Sequence, residues 1–298
     1  MPDYKQKKLL EIHERIISHK TNSIPTIAFM SDFGNTDAVA TCHQMIKRVD
    51  FNIDVVDFNH NVNQFNIEHA SVLLQRSKDF LDGTVFCCVV DPGVGTTRKP
   101  IILTTKSRNF IFIGPNNGIF TDVSELYGID EIYEISPKRV NPNWSGFTFD
   151  GRDLYAPAAG IVASIGKDIL HLIGFKINIS ECIKLNTSLR VQMNHSVITA
   201  KILAIDEPFG NIWTGILSND LEKIGIQKGD LLNIELKNQT LQFHWKHAFG
   251  DVEYKENVAY LDSRNGIGNG FFALGINQGD FRKIYNVHNG DFIKISKA

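Results

Sequence analysis

Two periods alternate along the chain from Thr26 onward. Short apolar runs, "TIAFM", "IDVVDF", "TVFCCVV", "IILTT" and "FIFIG", are separated by stretches with helical spacing, "DAVATCHQMIKRV" and "IEHASVLLQRSKDF". Apolar runs of about 4–8 residues fit strands buried on both faces, and the longer periodic stretches fit helices that cover them. The alternation predicts an α/β domain over residues 25–176, with a central mostly parallel sheet between helices. "DLYAPAAGIVASIG" predicts the closing helix, with Pro157 near its first turn, where proline is tolerated.

After Asn178 the pattern shifts to short β-like runs, "SVITAKILAID", "LLNIEL" and "VAYLDS", divided by Gly, Asn and Asp. This predicts a β-barrel-like domain over residues 190–298. The opening residues 1–24 mix charges of both signs at helical spacing and predict an amphipathic helical extension. They lack an unbroken apolar core, so they read as neither a signal peptide nor a membrane span.

Composition narrows the partners. With 298 residues, 43% of them hydrophobic, the chain can bury more than one core. Its 31 Lys and Arg against 33 Asp and Glu leave a net charge of -2, which offers no global attraction to nucleic acid or to an acidic membrane. Cys42, Cys87, Cys88 and Cys182 show no C-x-x-C spacing, and two of them lie side by side in an apolar run. They read as small hydrophobes in a reduced, cytoplasmic setting.

Polar residues gather where strands end. "VDPGVGTTR" sets Asp91 and Arg98 into a glycine-rich turn, yet its spacing is neither a Walker loop nor G-x-G-x-x-G, and taken alone it reads as an ordinary tight turn. Asp32 and Asp37 follow the first predicted strand, and "DGRD" (Asp150 to Asp153) precedes the closing helix. Ligands of open α/β sheets bind at the carboxyl ends of strands, although each of these residues also reads as a helix cap or turn. In the second domain "IDEPFGNIWTG" offers Asp206, Phe209, Asn211 and Trp213, and "YLDSRNG" offers Ser263 and Arg264. An aromatic pair flanking an amide suits a flat heterocycle; core residues around a β-turn have the same pattern.

The set "MSDFGNTD", "VVDPGVGTTR", "PNNG", "GRDLYAPAA" and "IDEPFGNIWT", in this order, resembles the S-adenosyl-L-methionine hydroxide adenosyltransferase family, related to fluorinases and chlorinases. The resemblance implies a homotrimer with sites between subunits, no metal and no cofactor beyond the substrate. It also implies a reaction in which water or hydroxide displaces methionine at the ribose C5′ of S-adenosylmethionine, giving adenosine and L-methionine. By resemblance Asp32 grips the ribose diol and Phe65 lies against the ribose. Asp37, Asp206, Ser263 and Arg264 match positions that hold the methionine ammonium and carboxylate. Phe209, Asn211 and Trp213 match the adenine pocket, with Asn277 and Gln278 on a segment whose backbone meets adenine.

Asp91 and Arg98 match two members of an Asp-Arg-His set that handles the water, but Asp150 stands where the family has histidine. Two carboxylates beside one water repel unless Arg98 or Arg152 relieves them. Gln64 and Asn66 also replace a proline and an aspartate. His60 matches a structural position, and His69 reads as a surface residue on a helix. Two other readings remain open: a non-catalytic binder of S-adenosylmethionine or adenosine, and halide transfer. The fluorinase-like pattern would put an aromatic hydroxyl at position 91 and a longer loop after it, both absent here.

Overall fold

The computed structural model describes residues 25–145, 148–262 and 270–298. The predicted 1–24 extension therefore lies outside the described residues. The first sheet is built from β1 (Thr26–Ser31), β2 (Asp54–Asn59), β3 (Val85–Val89), β4 (Pro100–Thr105), β5 (Ile111–Pro115), β6 (Ile129–Ile135) and β7 (Gly174–Ile177). Its order is β2-β1-β3-β5-β4-β6-β7. The pairs β1–β2, β1–β3 and β3–β5 are parallel, whereas β4–β5, β4–β6 and β6–β7 are antiparallel. The expected α/β sheet is present, with its parallel half carrying the strand ends of interest.

The uninterrupted apolar runs arise because both faces of this sheet are covered. Along β3, Val85, Cys87 and Val89 face one core, while Phe86 and Cys88 face the other. The first core is closed by α1 (Asp37–Val49) and by Ala156–Ile165, which pack on each other. Pro157 sits in the opening turn of that second helix. The other core lies under α2 (Ile67–Leu74) and α3 (Thr121–Tyr127) and includes Ala204, Trp213 and Tyr260 of the second domain. All four cysteines are buried and free, as their apolar setting suggested.

Asn66 caps α2 by accepting a hydrogen bond from the His69 N–H at 2.9 Å, so the amide performs the capping an aspartate would. His69 itself is buried, not on the surface, because α2 packs against β9 (Val197–Asp206) of the second domain. Burial drops its pKa to about 4.

The second domain is an antiparallel sheet. Its strands are β8 (Val191–Met193), β9, β10 (Asn211–Leu217), β11 (Leu231–Leu236), β12 (Gln239–His244), β13 (Asn257–Asp262), β14 (Phe271–Ile276) and β15 (Phe292–Lys297). They run in the order β12-β11-β15-β9-β10-β14-β13, with β8 alongside β9. A bridge from Trp245 to Ala259 draws the two edges together, so the sheet is a nearly closed barrel around Ile212, Phe243, Phe272 and Ile295.

The two domains meet through a buried ion network. Arg190, just before β8, donates to both carboxylate oxygens of Asp122 in α3 at 2.6 and 3.0 Å, and to Glu68 in α2 at 3.1 Å. Lys201 in β9 also pairs with Glu68 at 2.5 Å.

Candidate active site

Two adjacent parallel strands, β1 and β3, end side by side and turn outward. Past β3, the Asn117 side chain donates to the Val90 carbonyl at 2.9 Å, fixing the start of the Asp91 turn. This gives the "PNNG" motif a structural task. Asp91 is only 2% exposed at its side chain; its Oδ1 accepts from the Gly93 N–H at 3.1 Å, and its Oδ2 accepts from Arg98 Nε at 2.6 Å. Arg98 then reaches across the chain, and its Nη2 donates to Asp150 Oδ2 at 2.5 Å.

One guanidinium thus bridges two buried carboxylates and relieves their repulsion. Arg152 takes no part, because it forks onto Asp153 with both bonds at 2.7 Å. The other oxygen of Asp150, Oδ1, accepts from Trp144 Nε1 at 2.9 Å. Trp144 was not anticipated from the sequence; the available signal was a lone indole a few residues before Asp150 whose N–H needs a partner when buried. Arg98 also stacks over the Tyr155 ring at 5.4 Å, and the buried Tyr155 hydroxyl finds no hydrogen-bond partner among the described residues.

Asp91 and Asp150 line an open cavity of about 330 Å³ with Asp32, Phe33, Phe65 and Phe149. Asp32 Oδ2 accepts from the Phe65 N–H at 2.9 Å. Burial, opposed by that N–H and assisted by the charge of Asp91, raises the Asp32 pKa above 3.8. Phe65 is 66% exposed and held at φ 63°. A side chain at Gly151 would come within 2.9 Å of the Phe33 ring, so the glycine lets Phe33 and Phe149 close edge-on at 5.5 Å. The result is a half-open slot with aromatic walls and an anionic, hydrogen-bonding floor.

The second-domain candidates divide between two other cavities. Phe209, Asn211, Asn277 and Gln278 line one of about 740 Å³. Asn277 has its amide committed to the carbonyls of Val252 and Glu253, and its N–H to Glu256. Trp213 stands apart from Phe209. Its indole donates to Asp262 at 3.0 Å, Arg76 lies 4.2 Å above the ring, and it borders a cavity of about 390 Å³. Asp206, at the end of β9, touches both of these cavities. Asp37 is exposed at the first turn of α1, between Thr36 and Ala38, which line the Asp91 slot. Ser263 and Arg264 lie outside the described residues.

A family model described as the SAM hydroxide adenosyltransferase N-terminal domain matches residues 27–171, and its C-terminal counterpart matches residues 200–294. The chain belongs to that family. Among the relatives of this chain, a fluorinase of Actinopolyspora mzabensis is 30% identical, covering 93% of this chain and 98% of that protein. An (R)-S-adenosyl-L-methionine hydrolase of Salinispora arenicola is 34% identical over 67% of this chain and 77% of its own. A crystal structure of an uncharacterized conserved protein from Thermotoga maritima superposes with a TM-score of 0.81 at 32% identity, covering 91% of this chain and 99% of that one. Among the described residues no helix is long and apolar enough to cross a membrane.

Proposed function

We propose that this protein hydrolyses S-adenosylmethionine to adenosine and L-methionine by in-line attack of water at the ribose C5′. The observation that carries the reading is Asp91, held by Arg98, on the wall of the slot that Asp32 and Phe65 also line. The sulfonium is already a good leaving group, so no acid is needed for departure. Alignment is the larger contribution: holding water opposite sulfur is worth about 7–11 kcal/mol in favourable cases. A general base typically adds only about 3–5 kcal/mol.

Among the described residues Asp91 Oδ1 has a single donor, Gly93, and so retains a lone pair for a water in the slot. Arg98 holds the other oxygen and keeps the carboxylate turned. Asp150 has donors on both oxygens and acts on Arg98 rather than on water. Asp32 would accept from the ribose diol, with Phe65 against the sugar. Phe209 and Asn211 would take adenine, and the separation of their cavity from the Asp91 slot supports assembly of the full site between copies, as in a trimer. A halide is disfavoured beside two carboxylates, and position 91 lacks an aromatic hydroxyl.

Incubation of purified protein with S-adenosylmethionine, with and without chloride or fluoride, tests this by chromatography. Expected are adenosine and methionine in equal amounts, independent of halide, with turnover about 100-fold lower or more in Asp91→Asn while substrate still binds. Binding without products in the wild type would favour the sensor reading instead, and a halogenated nucleoside would favour halide transfer.

A further inference from the structure

A group of side chains outside the reaction slot converges between α1 and the end of β2. His43 projects from α1, Asp57 from β2, and His60 from the turn that follows. Asp57 Oδ1 lies 2.8 Å from His43 Nε2 and 3.0 Å from His60 Nε2. The three atoms all fall within 4.8 Å of one another, and this is the one such His/Cys/Asp/Glu group among the described residues.

Hydrogen bonding alone leaves this cluster incomplete. His43 Nε2 is shielded from solvent and stands 2.8 Å from Asp57 Oδ1, yet it makes no well-aligned hydrogen bond to any of the described residues. His60 is oriented from behind, since its Nδ1 lies 2.7 Å from the Ser31 hydroxyl at the end of β1. That is the outer-shell support by which a metal-ligating imidazole is fixed in orientation. Phe29 packs against both rings, with centroids 5.8 and 4.8 Å away, and supplies an apolar wall.

We infer that His43 Nε2, Asp57 Oδ1 and His60 Nε2 form a binding site for a divalent transition metal of the zinc class. Two neutral imidazoles and one carboxylate are the donor set such ions favour over magnesium or calcium, which take oxygen ligands. Zinc bonds of about 2.0–2.2 Å in tetrahedral arrangement place ligand atoms roughly 3.3 Å apart, and Asp57 Oδ1 stands 2.8 and 3.0 Å from the two imidazole nitrogens. Asp57 and His60 border the cavity of about 390 Å³, which leaves a fourth coordination position open to water or a ligand. The Asp91 slot is a different cavity, and a cation gains nothing beside Arg98 there. The ion instead staples α1 to β2 within one β-α-β unit.

The test uses the full chain stripped with EDTA and titrated with Co2+, then Zn2+. One Co2+ per chain should produce the intense visible bands of four-coordinate cobalt, Zn2+ should displace it, and Zn2+ should raise the melting temperature. His43→Gln and Asp57→Asn should each weaken binding at least tenfold and abolish the bands, with folding checked by circular dichroism. Exposed His171→Ala should change nothing. Absence of the bands in the wild type overturns the site, as does equal affinity in the wild type and both cluster variants. If one cluster variant fails to fold, the other decides.

Discussion

Arg98 is held between two carboxylates, and the indole of Trp144 decides how the second is aimed. A hydrogen bond to a charged group contributes about 1.5–3 kcal/mol, part of which reaches the reacting geometry through Asp150 and Arg98. Trp144→Phe is therefore expected to lower kcat roughly tenfold with KM little changed, as steady-state kinetics will show. Asp32 gives a pH dependence. Its native pKa is raised by burial above the unfolded value, so the native state binds more protons in between, and stability falls as pH rises through that window. Asp32→Asn is expected to melt higher than the wild type above the window and to bind S-adenosylmethionine more weakly, read by thermal melts at acid and neutral pH and by calorimetry. Asp91, Arg98 and Asp150 were legible as residues because their motifs stand in a recognisable order. Trp144 was not, since a loop residue's partner is set by tertiary contact. Trp213 was paired with Phe209 by proximity in sequence, whereas the fold directs its indole to Asp262 and beneath Arg76.

At the scale of elements, the apolar runs announced β1 to β5 and the helices between them, because burial on both faces leaves a continuous signature. Strand direction left no such mark. Yet Thr105 and Ile111 are joined by too few residues for a parallel crossover, which takes a dozen or more, so the β4–β5 pair had to be antiparallel. The network of Arg190 with Asp122 and Glu68 was invisible in the sequence, since its members are far apart along the chain and read singly as surface charges. Removing the cation takes the charge partner from the buried Asp122, whereas Glu68 keeps Lys201, and breaking such a buried pair costs about 3–5 kcal/mol. Arg190→Ala should lower the unfolding free energy in urea by roughly that amount. A loss under about 1 kcal/mol would mean that the pair is solvated in solution.

For the molecule as a whole, the two domains carry different parts of one proposed task. The parallel half of the first sheet presents the Asp91 slot, and the barrel presents the larger cavity with Phe209 and Asn211. The most direct measurement is mass spectrometry of products formed from S-adenosylmethionine in water enriched in oxygen-18. Attack at C5′ by a water held at Asp91 predicts adenosine carrying one heavy oxygen at the 5′ position and unlabelled methionine, with the signal falling in parallel with turnover in Asp91→Asn. Recovery of intact S-adenosylmethionine, or of a nucleoside without the label, would contradict it.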